Sequence, residues 1–267
     1  MLDNETVYWA EFYNEGFFGF SETTDFKIGS LAHVIPIILT LLVIFLIYKY
    51  RTYFRNNNKV DNNVMTILTI IMIFAELTYW WRLAYVGTSA KTVHNMFGLL
   101  PIQVCQWTLL ITVCAMISKS EKLIGTAFFL TSIPSVIAIA IPTVLARTGP
   151  SYYRYYQFWL EHLVPIISVY YMIFVHEYKI NFKHILYSQL ILSLLFIAGS
   201  KANVLLGENS SVKYLYMQYM RKIPFLTNTN DFELFIVCFI AFFIAFYIIY
   251  RIYNLIEKKN NEKNTMD

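Results

Sequence analysis

The sequence predicts an all-α fold: a polytopic membrane protein built as a bundle of seven transmembrane helices, N-terminus outside and C-terminus cytoplasmic. Three observations predict it. Hydrophobic residues fill 57% of the 267 positions and charged residues only 14%, against about 25% charged in an ordinary soluble domain; mean hydropathy is +0.49. The apolar residues come in blocks of roughly the 20 residues that a helix needs to cross a bilayer. Basic residues are unevenly shared between the two sets of connections, which sets orientation.

Taken in order, residues 1–28 carry Asp3, Glu5, Glu11, Glu15, Glu22 and Asp25 against Lys27 alone. That is the reverse of the basic start of a secretory signal. Tyr8, Trp9, Phe12, Phe17, Phe18 and Phe20 suit an extracytoplasmic segment lying at the interface, where aromatic rings are favoured. Seven spanning segments follow within 29–256: 30–49, 64–83, 97–118, 123–146, 157–176, 184–206 and 233–254. The sixth is the least uniform, and the fourth contains Pro134 and Pro142, tolerable where neighbouring helices satisfy the backbone. Residues 257–267 form a polar cytoplasmic tail. Lys49, Arg51, Arg55 and Lys59 after the first segment, and Arg251, Lys258, Lys259 and Lys263 after the last, place those ends in the cytoplasm of a multi-pass cell-membrane protein.

Several function classes are excluded. A net charge of +4, dispersed along the chain, is no nucleic-acid footprint. Three cysteines, Cys105, Cys114 and Cys238, all lie in apolar runs, which argues against a disulfide framework. There is no HExxH, CxxC, phosphate-loop or dinucleotide pattern, so neither a metal nor any other cofactor is indicated.

Ionisable groups inside spanning segments are expensive and are functional candidates by default. With the N-terminus outside, His33 begins the first helix. Glu76 and Arg82 lie in the outer part of the second, Gln103, Cys105 and Gln106 in the outer half of the third, Glu161 and His162 near the outer end of the fifth, and Lys201 and Asn203 in the last turns of the sixth. At 1.5 Å per residue, Cys105 falls roughly 12 Å and His162 roughly 8 Å below the starts of their helices. The inner halves read as far more apolar, so the sequence predicts a polar cavity facing the outer leaflet or outer water. Two stripes support it: Gln189, Ser193, Ser200 and Asn203 on one helix, and Pro101, Cys105, Thr108 and Thr112 on another, each at helical spacing. Helix–helix adhesion explains each Ser or Thr taken singly.

The pair suited to chemistry is Cys105 with His162. A thiol becomes a nucleophile as its thiolate, and an imidazole can take the proton. Glu76 is the expected partner to orient the imidazole, since Glu161 points off another side of the helix. Arg82, Gln106 and Asn203 are candidate donors for an oxyanion, and His33, Glu76, Arg82, Gln106 and Asn203 together are the candidate substrate-binding residues. Cys114 and Cys238 read as packing, and His94, His176 and His184 as solvated residues in or near loops. From spacing alone, a structural reading of a single Cys and a single His on different helices stands ahead of a catalytic one.

A family resemblance changes that weighting. Leu100-Pro101-Ile102-Gln103-Val104-Cys105 resembles the Leu-Pro-x-x-x-Cys signature of the bacterial YwaF-like integral membrane family, which is related to eukaryotic transmembrane protein 164. Phe158-Trp159-Leu160-Glu161-His162-Leu163-Val164-Pro165 resembles its second signature, and the 57-residue separation of Cys105 and His162 is similar to the family's. His33, Glu76, Arg82 and Asn203 also resemble family positions. The resemblance implies a seven-helix fold. For the eukaryotic branch it implies an acyltransferase that moves a fatty acyl chain onto a lysophospholipid, using the positions matched by Cys105 and His162. Gln103 stands where many bacterial relatives have a His. The leading expectation is therefore a membrane acyltransferase with membrane lipids as partners and Cys105 as nucleophile. The rivals are a small-solute transporter or channel component, gated by Glu76 and Arg82, and a non-catalytic subunit packed against a membrane protein partner.

Overall fold

The computed structural model describes residues 26–85, 100–142, 149–206, 214–216 and 224–264. The expected interfacial segment up to residue 25, His94, and the basic residues Lys91, Arg147, Lys213, Arg221 and Lys222 lie outside the described residues. The chain runs through α1 (Leu31–Lys49), a short α2 (Arg51–Asn56), α3 (Asn58–Tyr85), α4 (Val104–Ser118), α5 (Glu121–Ala140), α6 (Tyr153–His176), α7 (Phe182–Leu206) and α8 (Asp231–Asn264). Single 3-10 turns lie at Tyr214–Tyr216 and Pro224–Leu226, and no strand occurs among the described residues. Six of these helices are long and apolar enough to cross a membrane, whereas α4 is apolar but has 15 residues.

The differences from the expected boundaries of the third and fourth segments follow from proline. The third segment was expected to be helical from residue 97, yet α4 begins at Val104. Pro101 disfavours helical conformation at Leu100; Trp107 then donates from Nε1 to the Pro101 carbonyl at 2.6 Å and fixes the non-helical entry. The fourth segment widens into a π turn at Thr131–Ser135, around Pro134. A proline lacks the N–H of a regular turn and its ring crowds the preceding carbonyl, and a π turn absorbs the mismatch. The helix stops at Ala140, two residues before Pro142. At the other end, α8 stays helical past Glu257 to Asn264, through the segment expected to be a polar tail.

Helix α6 is the axis of the bundle, packing against α1, α3, α4 and α5. Helices α1 and α8 bury only 17% and 11% of their apolar spans, leaving residues such as Leu31, Leu41, Phe232 and Ile248 exposed, as suits a lipid environment. In lipid, helices adhere through close packing and polar bonds rather than a hydrophobic drive, and the α5–α7 crossing uses both. A Cβ on Gly125 would meet the His184 ring at 1.9 Å, so glycine lets that ring close onto α5, and Ser188 donates to the Thr126 carbonyl at 3.1 Å. His184 is 3% exposed. It was expected to be solvated, but in the first turn of α7 it is buried and serves as helix packing, with Nδ1 accepting from the Asn181 N–H at 3.2 Å.

Candidate active site

The first turn of α4 is built by a reciprocal cap, in which Gln103 and Gln106 each bond the other's backbone, Gln103 N–H reaching Gln106 Oε1 at 3.3 Å. This satisfies one of the donors left over at any helix start. Cys105 is the second residue of the helix. Across the interface, His162 on α6 brings Nε2 to 3.1 Å from Cys105 Sγ. Its Nδ1 lies 2.8 Å from the Phe158 carbonyl. A carbonyl only accepts, so Nδ1 carries the proton and Nε2 presents its lone pair to the thiol. The Phe158 ring lies over the imidazole, centroids 4.3 Å apart.

The expected orienting role of Glu76 is thus filled by the Phe158 carbonyl, one turn back on the same helix. Glu76 instead accepts from Trp80 Nε1 at 2.6 Å and from Gln106 Nε2 at 3.3 Å, so it steadies Gln106. Its Oε2 is buried without a partner among the described residues.

Cys105, His162, Gln103 and Gln106 line a cavity of about 500 Å³, with apolar walls from Ile137, Leu192, Phe235 and Phe239. Cys238 packs against the cluster around Leu215 and Leu234, as expected, and also lines the cavity, whereas Cys114 is exposed on the α4 surface. Not all the expected binding residues reach this space. His33 is tied elsewhere, Nε2 to the Ile139 carbonyl at 2.7 Å and Nδ1 to the Gly29 N–H at 2.9 Å. Arg82 lies on the last turn of α3, its side chain outside the described residues. Asn203 clamps Tyr214, accepting from its N–H at 2.7 Å and donating to its carbonyl at 3.2 Å. That clamp presents Leu215 to the cavity, its N–H on Gln103 Oε1 at 3.2 Å. Leu215 takes a left-handed φ of 60°, and its side chain occupies the room left by Gly199.

Arg154 and Glu161 line the same cavity, and Gln157 joins them on α6; of the three, only Glu161 was named from the sequence. Arg154, Gln157 and Glu161 recur at helical spacing on α6. Arg154 Nη1 donates to Gln157 Oε1 and lies 3.5 Å from Glu161 Oε2. Gln157 Nε2 donates to Glu161 Oε2 at 2.9 Å and to the Ala75 carbonyl at 3.2 Å. The i, i+3, i+7 pattern was the available signal, obscured because α6 begins at Tyr153 rather than at 157.

A second polar cluster was missed, at the opposite end of α6. Asp61, 7% exposed, accepts on Oδ1 from the Tyr171 hydroxyl at 2.8 Å and lies 2.9 Å from His176 Nε2. Arg55 donates to the Val175 and Phe174 carbonyls and pairs with Glu177 at 3.0 Å. His176, expected to be solvated, is a bonded partner here, and the half of the bundle expected to be apolar holds a buried carboxylate.

The sequence model of the TMEM164 family matches residues 28–250, which spans every residue of both clusters. The chain belongs to the TMEM164 family. Together with six helices able to cross a bilayer, membership makes it a multi-pass membrane protein in a lipid environment. No curated protein and no solved structure matches the chain.

Proposed function

We propose that this member of the family is a membrane acyltransferase acting on phospholipids and lysophospholipids, with Cys105 as acyl carrier. The observation that carries the reading is the 3.1 Å approach of His162 Nε2 to Cys105 Sγ inside a largely apolar cavity. Sulfur attacks the ester carbonyl of a donor phospholipid while its proton passes to Nε2. The tetrahedral intermediate collapses, the C–O bond breaks, and the imidazolium returns the proton to the departing lysophospholipid alkoxide. An acceptor lysophospholipid then loses its hydroxyl proton to Nε2 and attacks the thioester. The C–S bond breaks, and the proton returns to sulfur. The N–H groups of Val104 and Cys105, at the start of α4, are donors of the kind an oxyanion requires. In this reading α4, about 23 Å long, completes a bundle of seven, and the cavity faces the outer leaflet of the cell membrane with the N-terminus outside.

Purified protein incubated with a phospholipid labelled in its acyl chain is expected to carry a hydroxylamine-sensitive acyl adduct. The reading fails if wild type acquires none, or if Cys105→Ala acquires the same one. A transport reading draws on the Asp61 cluster at the far end of α6, but Leu163, Val164, Ile166 and Val169 pack between the two polar regions. Solute uptake that depends on Glu76 and ignores Cys105 would favour it.

A further inference from the structure

A guanidinium carries five N–H donors in a rigid fork that suits phosphate, and Arg154 uses only one arm of its own. Its Nη1 serves Gln157 and Glu161, and its carbon centre lies 5.4 Å from the Tyr79 ring centroid. Nη2 and Nε bond nothing among the described residues. The residue is 9% exposed, and what it faces is the cavity that also holds Cys105 and His162. Burying a cation among apolar walls is costly, and a single carboxylate at 3.5 Å offsets it only in part. Donors left over in such a place mark a site for an anion.

We propose that Arg154 binds the phosphate of the lipid in this cavity and so selects phospholipids over neutral glycerides; this rests on the acyl-transfer reading and adds its specificity determinant. Three features fix the chemistry. The unused edge of the guanidinium is a two-point donor for phosphate oxygens. Its used edge reaches Glu161, the residue beside His162, so the cation stands a short way along α6 from the reacting pair, as phosphate stands a short glycerol backbone from the ester. The remaining walls, from Ile137, Leu192 and Phe239, suit acyl chains. Glu161 beside the fork repels excess negative charge, so a singly charged phosphodiester binds better than a phosphomonoester, which approaches two charges at neutral pH.

Binding is measured without chemistry on the full-length Cys105→Ala protein in detergent, by its thermal stabilisation. The probes are a dialkyl ether phosphodiester lipid, a dialkylglycerol of the same chains, and inorganic phosphate. The phospholipid is expected to bind more tightly than dialkylglycerol, and phosphate alone to give no shift. Arg154→Gln combined with Glu161→Gln, which removes both buried charges together, is expected to weaken the phospholipid roughly 10- to 100-fold and leave dialkylglycerol unchanged, with Arg154→Lys between. Equal affinity of the two lipids for the parent protein, equal losses for both in the double variant, no loss for either, or a shift with inorganic phosphate alone would each overturn the assignment. Failure of Cys105 to form an adduct overturns the acyl carrier and leaves this result standing.

Discussion

At the scale of the residue, the proposed chemistry depends on an imidazole held in one tautomer by a backbone carbonyl. Replacing His162 with Ala removes the proton acceptor and not the nucleophile. Adduct formation is expected to slow by about 10²- to 10⁴-fold, read as the rate of label transfer to Cys105, while the far-UV circular dichroism stays that of a helical bundle. Gln157 is a different case, since it bonds Arg154, Glu161 and the Ala75 carbonyl at once. Gln157→Leu leaves those groups short of partners and is expected to cost about 1–3 kcal/mol, read as a lower melting temperature in detergent. Cys105 and His162 stood out as chemically conspicuous residues in apolar runs, but it was the family resemblance that put the pair ahead of a structural reading. Arg154 did not stand out, because a boundary placed four residues late turned a wall of the cavity into a loop charge. Glu161 was discounted for its angle to His162, but the cavity wraps around α6 and takes residues from two of its sides.

At the scale of the element, length and hydrophobicity located the long helices, and the departures arise where tertiary contacts decide. Nothing local to Gly125 announces that an imidazole 59 positions later will press on it. Gly125→Ala places a methyl 1.9 Å from His184 Nδ1 and is expected to destabilise the protein by about 1–3 kcal/mol. Adding His184→Ala should recover much of that loss, and thermal unfolding of both single variants and the pair measures the coupling. The late start of α4 was foreshadowed by Pro101, but the 20-residue span template overrode it. That start is what puts Cys105 at a helix N-terminus rather than in a helix middle.

At the scale of the molecule, composition sufficed for a helical membrane bundle, because a chain this apolar has few other ways to satisfy its backbone in lipid. It did not suffice for the distribution of polarity within it. Counting charges along the chain places Asp61 near the end of a basic loop; only packing shows it beneath Tyr171 and His176, joining α3 to α6. Asp61→Ala leaves a buried hydroxyl without its acceptor and is expected to lower stability by about 1–3 kcal/mol while the Cys105 adduct still forms. Measuring melting temperature and label transfer on one preparation separates the two effects.

Leu215 gives the cavity a strained wall. A residue with left-handed backbone holds an aliphatic side chain among the walls assigned to acyl chains, tethered through Asn203 and Gln103. Such a conformation costs an ordinary residue of order 1–3 kcal/mol. The side chain fills the room left by Gly199 and forms part of the cavity wall, so under the proposed acyl transfer it would limit how much hydrocarbon the cavity takes. Leu215→Ala lowers that wall: the variant should admit bulkier acyl chains than the parent and discriminate less among them, in a competition between labelled donors of graded length.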